Sequence, residues 1–277
     1  MTAARLVWAR KARVQLAQVP IGLQFYSASE DLQRNVSGML RQVRAIGYGQ
    51  VETAGFEGLT AKAFRAQLDQ ARLVCLSTHL PVGIHELGSL FEDAHSVGAQ
   101  FVVSPALFPP KSGSETLGDY RAMADRLNDL GRKAKEASLQ YAYHNPNFEF
   151  RRLEGDRIGH DVLLKDTDPK LVTFELDCGW IIAAGYNPID YFRQCPGRYR
   201  MLHVKDFAAT KHPRTSLAMN ERPQETEPGP GHIEFKPILI GAARAGIHDY
   251  YVEQEPPLID MPALKAAKVD YQYLGAL

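Results

Sequence analysis

From Val19 to the C-terminus, short apolar runs alternate with longer amphipathic stretches, and this alternation constrains the fold more than any other feature of the chain. The runs are Pro20–Tyr26, Gln50–Thr53, Leu73–His79, Phe101–Ser104, Leu139–His144, Val172–Asp177, Arg200–Lys205 and Asp249–Glu253. After the first, Leu32, Val36, Met39, Leu40, Val43 and Ile46 recur at helical spacing, and Gly47 follows where a helix needs a left-handed end. Further helices are expected at about Thr60–Ala71, His85–Val97, Glu115–Ala137 and Met261–Tyr273. Strands that alternate with helices run parallel, and eight such units predict a single α/β domain, a closed (β/α)8 TIM barrel over residues 19–277. A doubly wound open sheet is the competing architecture, but no GxGxxG follows the first strand.

Two connections are too long to be turns, Asn145–Asp156 and Phe207–Ile233, and the second carries Pro213, Pro223, Pro228 and Pro230. Both follow the C-terminal end of a strand, the end at which barrel active sites are built.

Charge and composition narrow the partners. Lys+Arg and Asp+Glu are both 32, which gives no basic surplus for nucleic acid. No apolar run approaches the ~20 residues that cross a bilayer, so neither a nucleic acid nor a membrane is an expected partner. A small carbohydrate is, and a homo-oligomer stays open. Cys75, Cys178 and Cys195 are odd in number and lack CxxC spacing, which fits a reduced compartment. Residues 1–18 read as a poorly ordered extension; Arg5, Arg10, Lys11 and Arg13 make it basic without the apolar core of a secretory signal. A cytoplasmic location is the resulting expectation.

The informative pattern is which residue ends each strand. His79, His144 and Asp177 end the third, fifth and sixth; His203 with Lys205 and Asp206 ends the seventh; Glu253 with Glu255 ends the eighth. Singly, His79 or His203 reads as a satisfied buried histidine, and Lys205 with Asp206 as an ordinary ion pair. Together, in a barrel, they converge on one mouth, where buried ionisable groups are costly unless paired or ligated. Asp177, His203 and Glu253 offer two carboxylates and an imidazole, a set suited to Mn, Zn, Co or Fe and less to Mg. His144, or Glu149 folding back from its loop, is the candidate fourth ligand. Gln24, Glu52 and Trp180 are candidate substrate-binding residues, beside the bland readings of a loop cap for Glu52 and a rim seal for Trp180. The Gly-rich turn Glu227–Glu234 offers His232 as another.

Ile21–Tyr26, Ile46–Glu52, Tyr143-His-Asn-Pro-Asn-Phe-Glu-Phe150, Glu175-Leu-Asp-Cys-Gly-Trp180 and Leu202-His-Val-Lys-Asp206 resemble motifs of the sugar phosphate isomerase/epimerase group of xylose isomerase-like barrels. The resemblance implies the (β/α)8 fold and a divalent metal held by Glu, Asp, His and Glu from strands five to eight. The last three fall on Asp177, His203 and Glu253, while the first falls on or beside His144, which is not a carboxylate. Pro146 and Asn147 replace the His-Asp of the group's common YHNHDFEF. The implied reaction is sugar isomerisation or epimerisation by proton abstraction next to a carbonyl, through an enediolate. Glu253 or His144 is then the base, and His79 and Lys205 orient or polarise oxygens. A 3-keto-glycoside lyase or hydratase of the same fold is the near alternative, and a non-catalytic sugar-binding barrel the distant one.

Overall fold

The structure is a computed structural model that describes residues 20–80, 86–105, 115–218, 220–255 and 261–277. The expected extension at residues 1–18 and the expected helix start at His85 lie outside them. The described strands are β1 (Ile21–Gln24), β2 (Gln50–Thr53), β3 (Val74–His79), β4 (Phe101–Ser104), β5 (Gln140–His144), β6 (Val172–Asp177), β7 (Tyr199–Val204), β8 (Asp206–Phe207), β9 (Glu225–Thr226) and β10 (Asp249–Val252). Eight of them close a barrel in the order β1-β10-β7-β6-β5-β4-β3-β2, every neighbouring pair parallel. The remaining two, β8 and β9, form an antiparallel ribbon inside the long connection after β7, where the sequence reads only as loop.

Helices between the strands pack outside the barrel. Val36–Ile46 buries Met39, Leu40 and Val43, the stripe that the spacing predicts, and Gly47 ends it at a φ of 131°. Leu87–Val97 and Leu117–Glu136 each lie within a residue or two of the expected spans, the second closed by a capping box of Thr116 and Asp119.

Side-chain alternation along each strand divides the barrel into an outside and an inside. Leu23, Val51, Val102, Tyr141, Tyr143, Phe174, Leu176, Leu202, Val204 and Val252 join the core between barrel and helices. The opposite parity points inward. There, Phe101, Val103, Ala142, Met201 and Tyr251 form a separate apolar cluster that plugs the barrel. Gly22 is required beside that plug: a Cβ on it would lie 2.4 Å from the ring of Tyr251, its partner in register. Continuing the same parity toward the C-terminal ends, the inward positions of most strands become polar, namely Gln24, Glu52, His79, His144, Glu175, Asp177 and His203, all buried or nearly so. The apolar plug thus serves as the floor on which the polar site stands.

No helix among the described residues is long and apolar enough to cross a membrane.

Candidate metal centre and cavity

His203, fully buried on β7, joins two groups of potential ligands. One comprises His144, Asp177, His203 and Glu253, the other Glu52, His79, Glu175 and His203; within each, the candidate donor atoms lie within 4.8 Å of one another. The ring divides its nitrogens between them. Nδ1 lies 3.0 Å from Glu253, while Nε2 lies 2.7 Å from Glu52 and 3.3 Å from Glu175.

The second group is well supplied with partners. Glu52 accepts from Gln24 at 2.7 Å and from the Ser77 hydroxyl, and faces His79 at 3.2 Å. His79 lies 2.9 Å from Glu175 and stacks on His203 with ring centroids 5.4 Å apart. Burial by itself disfavours charge on Glu52, His79 and His203, yet opposite charges outweigh it. The Glu52 carboxyl is held far below the usual range by His79 and His203, and the His79 imidazole is raised to about 10 by Glu52 and Glu175.

The first group is less complete. Asp177 Oδ2 and His144 Nε2 are buried, 3.5 Å apart, and make no hydrogen bond among the described residues. Asp177 spends its other oxygen capping the helix Cys178–Ala183 through the Trp180 amide, which fixes the carboxylate and leaves Oδ2 aimed inward. Buried polar atoms without a hydrogen bond are rare, and two facing each other beside a carboxylate and an imidazole are a donor set suited to a divalent cation. Lys205 borders this group, fully buried, with its ammonium 2.8 Å from Glu253, 2.5 Å from Glu255 and 3.5 Å from Asp177. Burial lowers the Lys205 pKa, but these carboxylates more than reverse that; Lys205 in turn, with His203, holds Glu253 well below the ordinary carboxylate value against the effect of burial.

Above the group opens a cavity of about 430 Å³, bounded among the described residues by Tyr26, Ala54, His79, Leu80, Pro105, His144, Pro146, Trp180, Leu217, Glu253 and Glu255. The polar side chains form its floor, and aromatic and apolar ones its walls. Two cations lie over the indole of Trp180, Lys205 at 4.9 Å and Arg222 at 5.1 Å from the ring centroid.

Of the residues singled out in the sequence, His79, His144, Glu253 and Trp180 border the cavity, and Asp177, His203 and Lys205 lie beneath it. Gln24 and Glu52 sit deeper, holding each other and His203 rather than lining the cavity. Glu149 lies apart from them. It belongs to neither ligand group, because Tyr143 has the outward parity and the carboxyl of Glu149 bonds to that phenol and to His160 between barrel and helices. Desolvation raises its pKa well above the ordinary carboxylate value, against the hydrogen bond from Tyr143. His232 also lies apart: its ring contacts the Phe207 carbonyl at 2.6 Å, fastening the ribbon, and is not among the described residues bounding the cavity. Glu175 was missed as a site residue. Its signal is the i, i+2 spacing to Asp177, which on a strand puts both on one face.

The residues matched by a family model for the xylose isomerase-like TIM barrel are 40–273. An inosose dehydratase of Clostridium beijerinckii is 32% identical over 127 residues, 44% of this chain and 42% of that protein, so the chain matches less than half of that relative's length. A sugar phosphate isomerase/epimerase structure from Parabacteroides distasonis superposes with a TM-score of 0.78 at 23% identity, covering 93% of this chain and 94% of that one. A structure of the IolI protein with a zinc atom superposes with a TM-score of 0.70 at 15% identity over 92% and 96% of the two chains. These likenesses in structure share the fold. With the family model spanning most of the barrel and the polar groups gathered at its C-terminal mouth, the chain belongs to the xylose isomerase-like TIM barrel family.

Proposed function

We propose that this protein is a metal-dependent lyase that removes water, or another β-leaving group, from a cyclic keto-polyol. The observation that carries the reading is the donor set His144, Asp177, His203 and Glu253 at the cavity floor, with two of its buried atoms making no hydrogen bond. The isomerase/epimerase reading of the motifs yields to its lyase alternative because curated relatives are inosose dehydratases. Zinc, which the IolI structure holds, is compatible with two imidazoles and two carboxylates, as are Mn, Co and Fe.

These four residues would hold the ion, and a bound divalent cation supplies Lewis acidity to a substrate carbonyl. The side chains account for the rest. Glu253, kept ionised by Lys205 and His203, takes the proton from the carbon next to the carbonyl. The electron pair of that C–H bond becomes the new C=C bond as the β C–O bond breaks. His79, kept protonated by Glu52 and Glu175 and bordering the cavity, gives its proton to the departing oxygen, so hydroxide leaves as water. Trp180, which borders the cavity, forms part of the wall against the substrate.

The test is incubation of metal-loaded protein with an inosose and with a 3-keto-glucoside in deuterated water, followed by mass spectrometry and NMR. The expected result is deuterium exchange next to the carbonyl and a product lighter by one water or by the aglycone. A product of unchanged mass with altered stereochemistry would transfer the reading to epimerisation. No exchange into either compound would remove both.

A further inference from the structure

The wall of the cavity on the β7 side is a segment without regular secondary structure, and it is secured at three places. The Arg214 amide donates to the Ala183 carbonyl at 2.7 Å, which ties the segment to the helix after β6. Arg222 reaches the carboxylates of Glu225 and, at 2.5 Å, of Glu255 at the end of the last barrel strand. Between these two ties stands Asn147. Its side chain is fully buried, and its Nδ2 donates both hydrogens, to the carbonyls of Arg214 at 3.0 Å and Ser216 at 3.1 Å. The next residue, Leu217, borders the cavity and packs against Trp180, Ala183 and Phe207. Asn147 itself follows Pro146, which borders the same cavity from the β5 side.

We infer that Asn147 is a positioning residue: it fixes residues 214–216 so that Leu217 is pressed onto Trp180, and thereby sets how tightly substrate is held rather than how fast it reacts. The chemistry of the amide is what the position requires. Two carbonyls two residues apart need one group with two N–H donors, and backbone carbonyls in a loop that packs inward must find partners. A carboxylate would present lone pairs to both oxygens, and a methyl would leave them unserved. The kinetic half of the inference rests on the proposed activity; the structural half does not.

The experiment uses Asn147→Ala and Asn147→Asp in a Trp8→Phe background, which leaves Trp180 as the single tryptophan of the chain's two. Trypsin reads the wall directly, since the peptide bond it cuts after Arg214 bears the carbonyl that Asn147 holds. Cleavage there should accelerate about tenfold, the equivalent of ~1.4 kcal/mol for a lost hydrogen-bond partner, and Trp180 emission should shift to the red. Metal content should match the parent, and KM should rise about tenfold with kcat within about twofold. Leu217→Ala, which leaves Asn147 and its bonds in place, should raise KM likewise if either Asn147 variant fails to fold. Unchanged cleavage and emission in folded variants would overturn the inference, as would a fall in kcat at constant KM. Faster cleavage and shifted emission, with no turnover even by the parent, would uphold the wall and reject the proposed activity instead.

Discussion

His203 and Glu52 are joined by a 2.7 Å contact that crosses the barrel interior from β7 to β2, carboxylate oxygen to imidazole Nε2. The bond fixes the ring's orientation, with Nδ1 facing Glu253 and the donors around it. A carboxylate behind a ligand histidine raises its basicity, and losing it typically reduces metal affinity about 10–100-fold. Glu52→Gln should therefore weaken metal retention by that factor while the four proposed ligands stay in place. Competition against a chromophoric chelator measures it directly; unchanged affinity would mean that His203 is not a ligand through Nδ1.

Asp177→Asn separates the ligand role of this residue from its structural one. The amide oxygen still caps the Trp180 N–H, whereas replacement by alanine would also cost about 1 kcal/mol of cap. Metal content of the asparagine variant should fall by more than the ~100-fold upper range for an indirect partner, with the melting temperature of the metal-free protein nearly unchanged. Elemental analysis beside calorimetry checks both.

Glu149→Gln should be silent for metal. The carboxyl bonds to Tyr143 and His160 and belongs to neither donor group, so an amide of similar shape leaves the metal donors untouched. Stoichiometric metal in this variant and depletion in Asp177→Asn would locate the centre inside the barrel; the reverse would return Glu149 to the ligand set.

Lys205→Met removes the cation that lies against Asp177, Glu253 and Glu255. Breaking a buried ion pair on one side costs about 3–5 kcal/mol, because the remaining charges are left uncompensated. For a domain of this size that corresponds to a melting temperature lower by about 10 °C. The loss should be largest without metal, since a bound cation restores part of the missing positive charge.

The metal-free protein should lose stability on the alkaline side through His79. Its folded pKa of about 10 lies above the unfolded value near 6.5, so the native state binds one more proton throughout that window. The contribution is fully present below about pH 6.5 and declines by up to ~1.4 kcal/mol per pH unit as pH rises to 10. Urea titrations at pH 6, 8 and 10, with His79→Gln as the comparison, should show a slope in the parent that is shallower in the variant.

The strand and helix order was legible in the chain alone because it is written in local periodicity. Period two marks Val172–Asp177, period 3.6 marks Val36–Ile46, and Gly47 marks where the second stops. The same periodicity exposed His144, Asp177, His203 and Glu253 as polar residues where apolar runs end. Which of them meet was a different matter. Glu52 reaches His203 only because the sheet closes, bringing residues 151 apart in sequence within 2.7 Å. Glu149 looked like a ligand by its nearness to His144 along the chain, yet the chain turns it back beneath Tyr143, on the outer face of the strand. The ribbon of β8 and β9 and the double bond of Asn147 to the 214–216 carbonyls leave no periodic trace, because each is a pairing between distant, irregular segments. Sequence by itself determined which residues face inward and where each strand ends, since both are properties of one segment and its backbone period. Closure and register decided which inward residues share a charge, a hydrogen bond or a cavity, since those depend on distances between segments that no local pattern encodes.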